Sequence, residues 1–392
     1  MLNTLPVLAA VLLAFITAKL ISRRDPFAGQ GGRISSLDGL RGYLALFVFL
    51  HHGAIWYAYL HGGKWAMPAS HVFAHLGQSS VAFFFMITGF LFFSKLLSSR
   101  TRGMDWTRLY VSRVLRLTPL YLLAMLLVFA IVLLLSHGER HVRWIDLAGQ
   151  LGAWMGFTVF GMPDINGVVG TFMIIAGVPW SLPYEWLFYF TLPLVALCLR
   201  VRVPAPFVLL SLAVIAVFCL AYDKMNSMIL FPVGMASAVL VRNDVFTRVA
   251  RSPLASVVAI ACVTAAVVGY SSAHGMVPLF LLSVSFVIIA GGNSLFGILT
   301  NPTSRAFGET AYSVYLLHGI VLFVAFHFVI GTETARSLTP SQHWLVLLAL
   351  TPVVVAISHI TFWRIEYPCM RATARVTDIV RRWLRPVASP TA

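Results

Sequence analysis

RISSLDGLRGYLALFVFLHH, residues 33–52, starts with charge and glycine, runs into a long apolar segment and ends in two histidines. An ordinary membrane span would carry more leucine and valine in place of Asp38, Arg41, His51 and His52. Charged and ionisable groups are costly inside a bilayer, so each marks a function unless it only ties helices together.

The rest of the chain confirms that this segment belongs in a membrane. Of the 392 residues, 59% are hydrophobic and only 10% charged, with a mean hydropathy of +0.87. A soluble domain of this length could not keep so much apolar surface from water. Runs of about 20 apolar residues, enough to cross a hydrocarbon core of ~30 Å, recur from end to end. Spans are expected near residues 4–20, 40–60, 77–97, 117–136, 186–199, 206–222, 227–241, 254–270, 276–290, 310–330 and 343–363. The expected fold is an all-α integral membrane protein of about eleven transmembrane helices, ten forming the core and one extra at the N-terminus. Residues 144–180 hold two shorter apolar pieces broken by MPDING and AGVP, expected as a re-entrant or surface-lying insert on the outer side, or else as a full hairpin across the membrane that leaves the remaining topology unchanged.

The formal net charge of +15 raises nucleic acid as a partner, but the basic residues gather in short loops and at span ends, where they report topology. All of the 28 Lys and Arg residues except Lys64, Arg140, Arg143, Lys224 and Arg336 fall on one side of the expected map. This places the N-terminus outside and the arginine-rich C-terminus in the cytoplasm, against anionic lipid. The first apolar run has no positive charge ahead of it and no cleavage region, so it reads as a retained span. The domain boundaries expected are 1–32 for that helix and a cytoplasmic linker, 33–370 for the membrane domain and 371–392 for a basic tail. Cys198, Cys219, Cys262 and Cys369 have no paired or metal-like spacing and read as small hydrophobes.

Four stretches carry polar groups that a plain bundle does not need. On the opening helix Asp38 and Arg41, three apart, share a face and can pair near the cytoplasmic surface, as catalytic support or as a structural ion pair. His52 returns to nearly the same face but about 21 Å further along the axis, so the two ends work at different depths. His51 points about 100° away and reads as a core histidine. In RLYVSRVLRL, Arg113 and Arg116 project from one face at the mouth of the fourth span, forked donors suited to phosphate oxygens or simple positive-inside anchors. In VPWSLPYEWLFYF, Glu185 sits where the chain re-enters the membrane from outside, flanked by interface aromatics including Tyr189, placed to accept a hydrogen bond from a histidine. In AYSVYLLH, His318 lies at about mid-depth, with Ser313 and Tyr315 nearby, lining the site or tying helices. His61, His71, His75, His137 and His141 are expected in outer loops, and Gly89 of FFFMITGF at a close helix contact.

These stretches, in this order, resemble the acyltransferase-3 family of integral membrane acyltransferases, which move acyl groups onto cell-surface sugars and other acceptors. The likeness covers roughly residues 33–370. It rests on LDGLRG with a histidine fourteen residues after the Asp, FF with a GF ending at Phe90, the arginines 113 and 116, WSLPYEWLFY at 180–189, and AYSVYLLH. Departures are Thr88, where many members have Ser, the Pro183–Tyr184 pair before Glu185, and the additional span at 4–20. The resemblance implies a stand-alone form without the esterase-like domain of many members, in a bacterial cytoplasmic membrane. It implies an acyl-CoA donor, acetyl-CoA by family habit, entering from the cytoplasm, no permanently bound cofactor, and transfer either direct or through a partner protein for acyl relay. It also implies functional roles for Asp38, Arg41, His52, Arg113, Arg116 and Glu185. The expected chemistry has His52, held by Glu185, as general base on an acceptor hydroxyl of a surface glycan, or as a transient acyl carrier. No residue suggests a metal site. The rival reading is a transporter or flippase for a lipid-linked sugar, since polar groups at several depths also describe a substrate pathway.

Overall fold

A computed structural model describes residues 4–22, 34–100, 103–221 and 226–384. The linker with Arg23, Arg24 and Arg33, and also Arg102, Lys224, Arg385 and the rest of the tail, lie outside the described residues.

Among the described residues the chain is helical throughout, with no β-strand. The first helices are α1 (Pro6–Ile21), α2 (Ser35–Gly62), α3 (His71–Ser98), α4 (Trp106–Leu135) and the short α5 (Trp144–Met155). They are followed by α6 (Ser181–Cys198), α7 (Ala205–Ala221), α8 (Leu230–Leu240), α9 (Asp244–Ala250), α10 (Pro253–Gly269) and α11 (Met276–Ala290). The last are α12 (Pro302–Glu309), α13 (Ala311–Phe323), α14 (Thr332–Arg336), α15 (Pro340–Thr361), α16 (Tyr367–Arg371) and α17 (Thr373–Leu384). A helix stands at each expected span. Among the described residues, five helical stretches are long and apolar enough to cross a membrane outright, and several shorter apolar helices accompany them. Residues 144–180 contain no helix longer than the 12 residues of α5.

The bundle is organised around α2, which packs against α3, α12 and α13. Its approach to α12 is backbone against backbone, because a Cβ on Gly308 would lie 1.7 Å from the Asp38 carbonyl oxygen. Between α3 and α8 the same device is reciprocal: a Cβ on Gly89 would meet the Phe231 carbonyl at 2.3 Å, and one on Gly234 the Met86 carbonyl at 2.0 Å. Small residues at membrane-helix interfaces let backbones approach in this way, and Gly89 plays the part expected of it. Helix α1 lies on α15 through the buried stripe Ala10, Ala14 and Ala18, while Leu8, Leu12, Ile16 and Leu20 point outward.

Among the described residues, two π-helical turns interrupt the ladder, at Val324–Val329 after α13 and at Phe362–Glu366 after α15. Such turns insert one residue and re-aim the side chains beyond it, often at functional sites. The second swings the Glu366 side chain into the interior, where it is fully buried.

Candidate active site

Helices α2 and α13 run side by side in the same direction: Asp38 meets Gly308, just ahead of α13, and His52 meets His318 further along. This parallel register sets two levels of polar chemistry about four helical turns apart, as the fourteen-residue spacing requires.

At the first level, a cavity of about 140 Å³ is lined by Arg41, Arg113, Arg116, Glu185, Tyr189 and Tyr312, among others. Asp38 and Arg41 pair across one turn at 3.7 Å. Arg116 is buried, and its Nη1 lies 3.1 Å from Glu366 Oε2, while Nη2 donates to the Glu309 carbonyl at 3.3 Å. The Ser313 hydroxyl donates to the other oxygen of Glu366. Arg113 is held differently: its guanidinium sits 5.0 Å from the centre of the Phe92 ring and 5.9 Å from that of Tyr189, and its Nε is buried without a hydrogen-bond partner. Glu185 accepts from the Tyr189 hydroxyl and lies in the field of Arg113, Arg41 and Arg116.

At the second level, a larger cavity of about 710 Å³ is lined by His51, His52, Gln78, Trp180, His274 and Tyr315, among others. His52 Nδ1 is 3.0 Å from the Val48 carbonyl and 3.0 Å from His318 Nε2. Its ring stacks toward Trp65 at 6.5 Å. His318 is fully buried, with Nδ1 2.9 Å from the Val314 carbonyl. His51 bonds the Phe73 carbonyl at 2.6 Å, a satisfied core histidine, although one edge reaches the cavity wall.

The two cavities share three lining residues, Val81, Phe85 and Tyr315. Tyr315 is pinned: its hydroxyl donates to the Val178 carbonyl at 3.0 Å and so accepts from Ser181 Oγ at 2.8 Å. A thin wall of two aromatic rings and a valine therefore separates the arginines from the histidines.

This geometry corrects several expectations. Glu185 does not hold His52; its partner is Tyr189, and it lies at the arginine level. The cause is the path of residues 156–180, which fold inward as tight turns, so that a Cβ on Gly319, mid-helix in α13, would touch the Ile175 backbone at 2.4 Å. Helix α6 thus begins at the depth of Tyr315, and four further residues carry Glu185 about 6 Å deeper. Tyr189, expected at the interface, is fully buried. Helix α4 begins at Trp106 rather than near 117, so Arg113 and Arg116 lie two to three turns inside it and not at a mouth. Arg116 is already neutralised by Glu366. His75, expected in a loop, is buried on α3 between Ser79 and the Tyr270 carbonyl.

Sequence reasoning missed Glu366, Tyr312 and Ser181. The only trace of Glu366 was an acidic residue just past an apolar run in FWRIEYP, and the turn that aims it inward has no sequence signature.

Charged side chains enclosed at one depth and paired imidazoles at another, in an all-helical multi-pass bundle, define a membrane-embedded enzyme-like site. A family model described as an acyltransferase domain matches residues 34–363. The chain belongs to the acyltransferase-3 family and is a membrane acyltransferase. No curated protein and no solved structure matches it.

Proposed function

We propose that the protein moves an acyl group, acetyl by family habit, from acyl-CoA to a hydroxyl of an extracytoplasmic glycan such as an O-antigen or exopolysaccharide. The observation that carries this reading is the shared wall of Val81, Phe85 and Tyr315 between an arginine-lined cavity and a histidine-lined one. The donor enters on the side of Asp38 and Arg41, which the distribution of basic residues puts in the cytoplasm. Arg113, with a donor nitrogen left over, and Arg41 offer the charge for a phosphate. The acceptor occupies the cavity that contains His52.

In the transfer, His52 Nε2 takes the proton of the acceptor hydroxyl as its oxygen attacks the thioester carbonyl. A carbon–oxygen bond forms, the carbon–sulfur bond breaks, and the proton passes to the departing thiolate, giving an ester and free CoA. Glu185 and Tyr189 face the donor cavity and orient Arg113 rather than the base. The protein lies in the cytoplasmic membrane, with the N-terminus outside and the C-terminus inside.

Mass spectrometry of surface glycans from cells with and without the protein tests the reading. An acyl increment present only with the protein is expected; identical glycan spectra would contradict a glycan acceptor.

A further inference from the structure

Two backbone carbonyls determine where the protons sit on the histidine pair. Val314 O, 2.9 Å from His318 Nδ1, can only accept, so that nitrogen carries the proton. In a neutral ring the other nitrogen, Nε2, is then a bare acceptor. This acceptor faces His52 Nδ1 at 3.0 Å, and on the same nitrogen Val48 O also lies at 3.0 Å. Both neighbours of His52 Nδ1 are acceptors, so His52 Nδ1 is the donor. The opposite assignment sets lone pairs against two carbonyl oxygens at once.

We propose that His318 is a positioning residue that holds His52 in the Nδ1–H tautomer and leaves the His52 Nε2 lone pair for the acceptor hydroxyl. In serine hydrolases a carboxylate on the far nitrogen performs this task. Here, among the described residues, neither ring has a carboxylate partner, and a neutral imidazole performs it. The arrangement suits the interior of a bundle, because it orients the base without bringing a second buried charge. His318 gains its own orientation from Val314, one turn earlier on α13, so a helix backbone ultimately sets the tautomer of the base. Among the described residues, His52 and His318 hydrogen-bond only to each other and to carbonyls of their own helices, so the spacing of α2 and α13 sets the contact.

The role rests on the reading of His52 as the base; the placement of the protons does not. The test is nitrogen-15 NMR of the full chain in lipid bilayers with ring-labelled histidine, the His52 signals being assigned by their loss in His52→Asn. The expected spectrum shows a neutral His52 ring with its proton on Nδ1. A proton on Nε2, or a cationic ring, overturns the proposal. His318→Leu leaves only the Val48 carbonyl on His52 Nδ1 and is expected to raise the share of the Nε2–H tautomer and to lower transfer from radiolabelled acetyl-CoA in membranes at least tenfold. His318→Gln, whose amide oxygen can stand where Nε2 stood, is expected to restore both. An unchanged His52 tautomer in His318→Leu overturns the positioning role. Should the wild-type spectrum be as expected while His52→Ala transfers normally, the base reading falls and the proton assignment stands.

Discussion

Arg116 and Glu366 form an ion pair inside the bundle, 250 residues apart in sequence, with Nη1 3.1 Å from Oε2 and the carboxylate fully buried. Removing one partner of a buried pair leaves an uncompensated charge, at a cost of about 3–5 kcal/mol, whereas replacing both with apolar groups is often neutral. Arg116→Ala and Glu366→Ala are each expected to lower thermal stability in detergent sharply, and Arg116→Met with Glu366→Leu to recover much of it. Thermal unfolding of the purified variants checks this, and single variants as stable as the parent would refute it.

Arg113 makes a contrast three residues away. It packs on Phe92 and Tyr189 and has a buried Nε without a hydrogen-bond partner, which leaves one N–H donor over for a ligand. Arg113→Ala should fold and raise KM for acetyl-CoA about tenfold, equivalent to ~1.4 kcal/mol, with a smaller change in kcat. Steady-state kinetics in membranes measures the split; an unchanged KM would remove Arg113 from the donor site.

Phe85 belongs to the wall common to both cavities. Phe85→Ala thins that wall and is expected to raise transfer from butanoyl-CoA relative to acetyl-CoA. An unaltered ratio of the two rates would mean that the wall does not limit the acyl chain.

Gly308 meets the Asp38 carbonyl where a Cβ would lie 1.7 Å away, whereas a Cβ on Gly62 would meet nothing within 4 Å. Overpacking ordinarily costs about 1–3 kcal/mol. Two backbones cannot rotate aside, so Gly308→Ala is expected at or above the top of that range, and Gly62→Ala near zero. Yield of folded protein on size-exclusion chromatography distinguishes them; equal yields would contradict the backbone contact.

What the sequence carried was whatever a single helix determines. The spans were legible because a bilayer demands a minimum apolar length. The Asp38–Arg41 pair and the Gly89 contact were legible because helical spacing and small size suffice to place them. The depth of Glu185 relative to His52 and the partner of Arg116 were not, because each depends on the path of another segment. The inward turns at 156–180 take Glu185 away from His52, and a π-helical turn brings Glu366 to Arg116. His318 was visible in AYSVYLLH, but its contact with His52 required the parallel register of α2 and α13.

The central claim is that His52 is the base of acyl transfer, and His52→Ala tests it most directly. Transfer from radiolabelled acetyl-CoA to the cell-surface fraction is to be compared with the parent at matched expression and matched thermal stability. A loss of about a hundredfold or more is predicted, the lower end of what a general base supplies. Transfer within a few-fold of the parent would contradict the account.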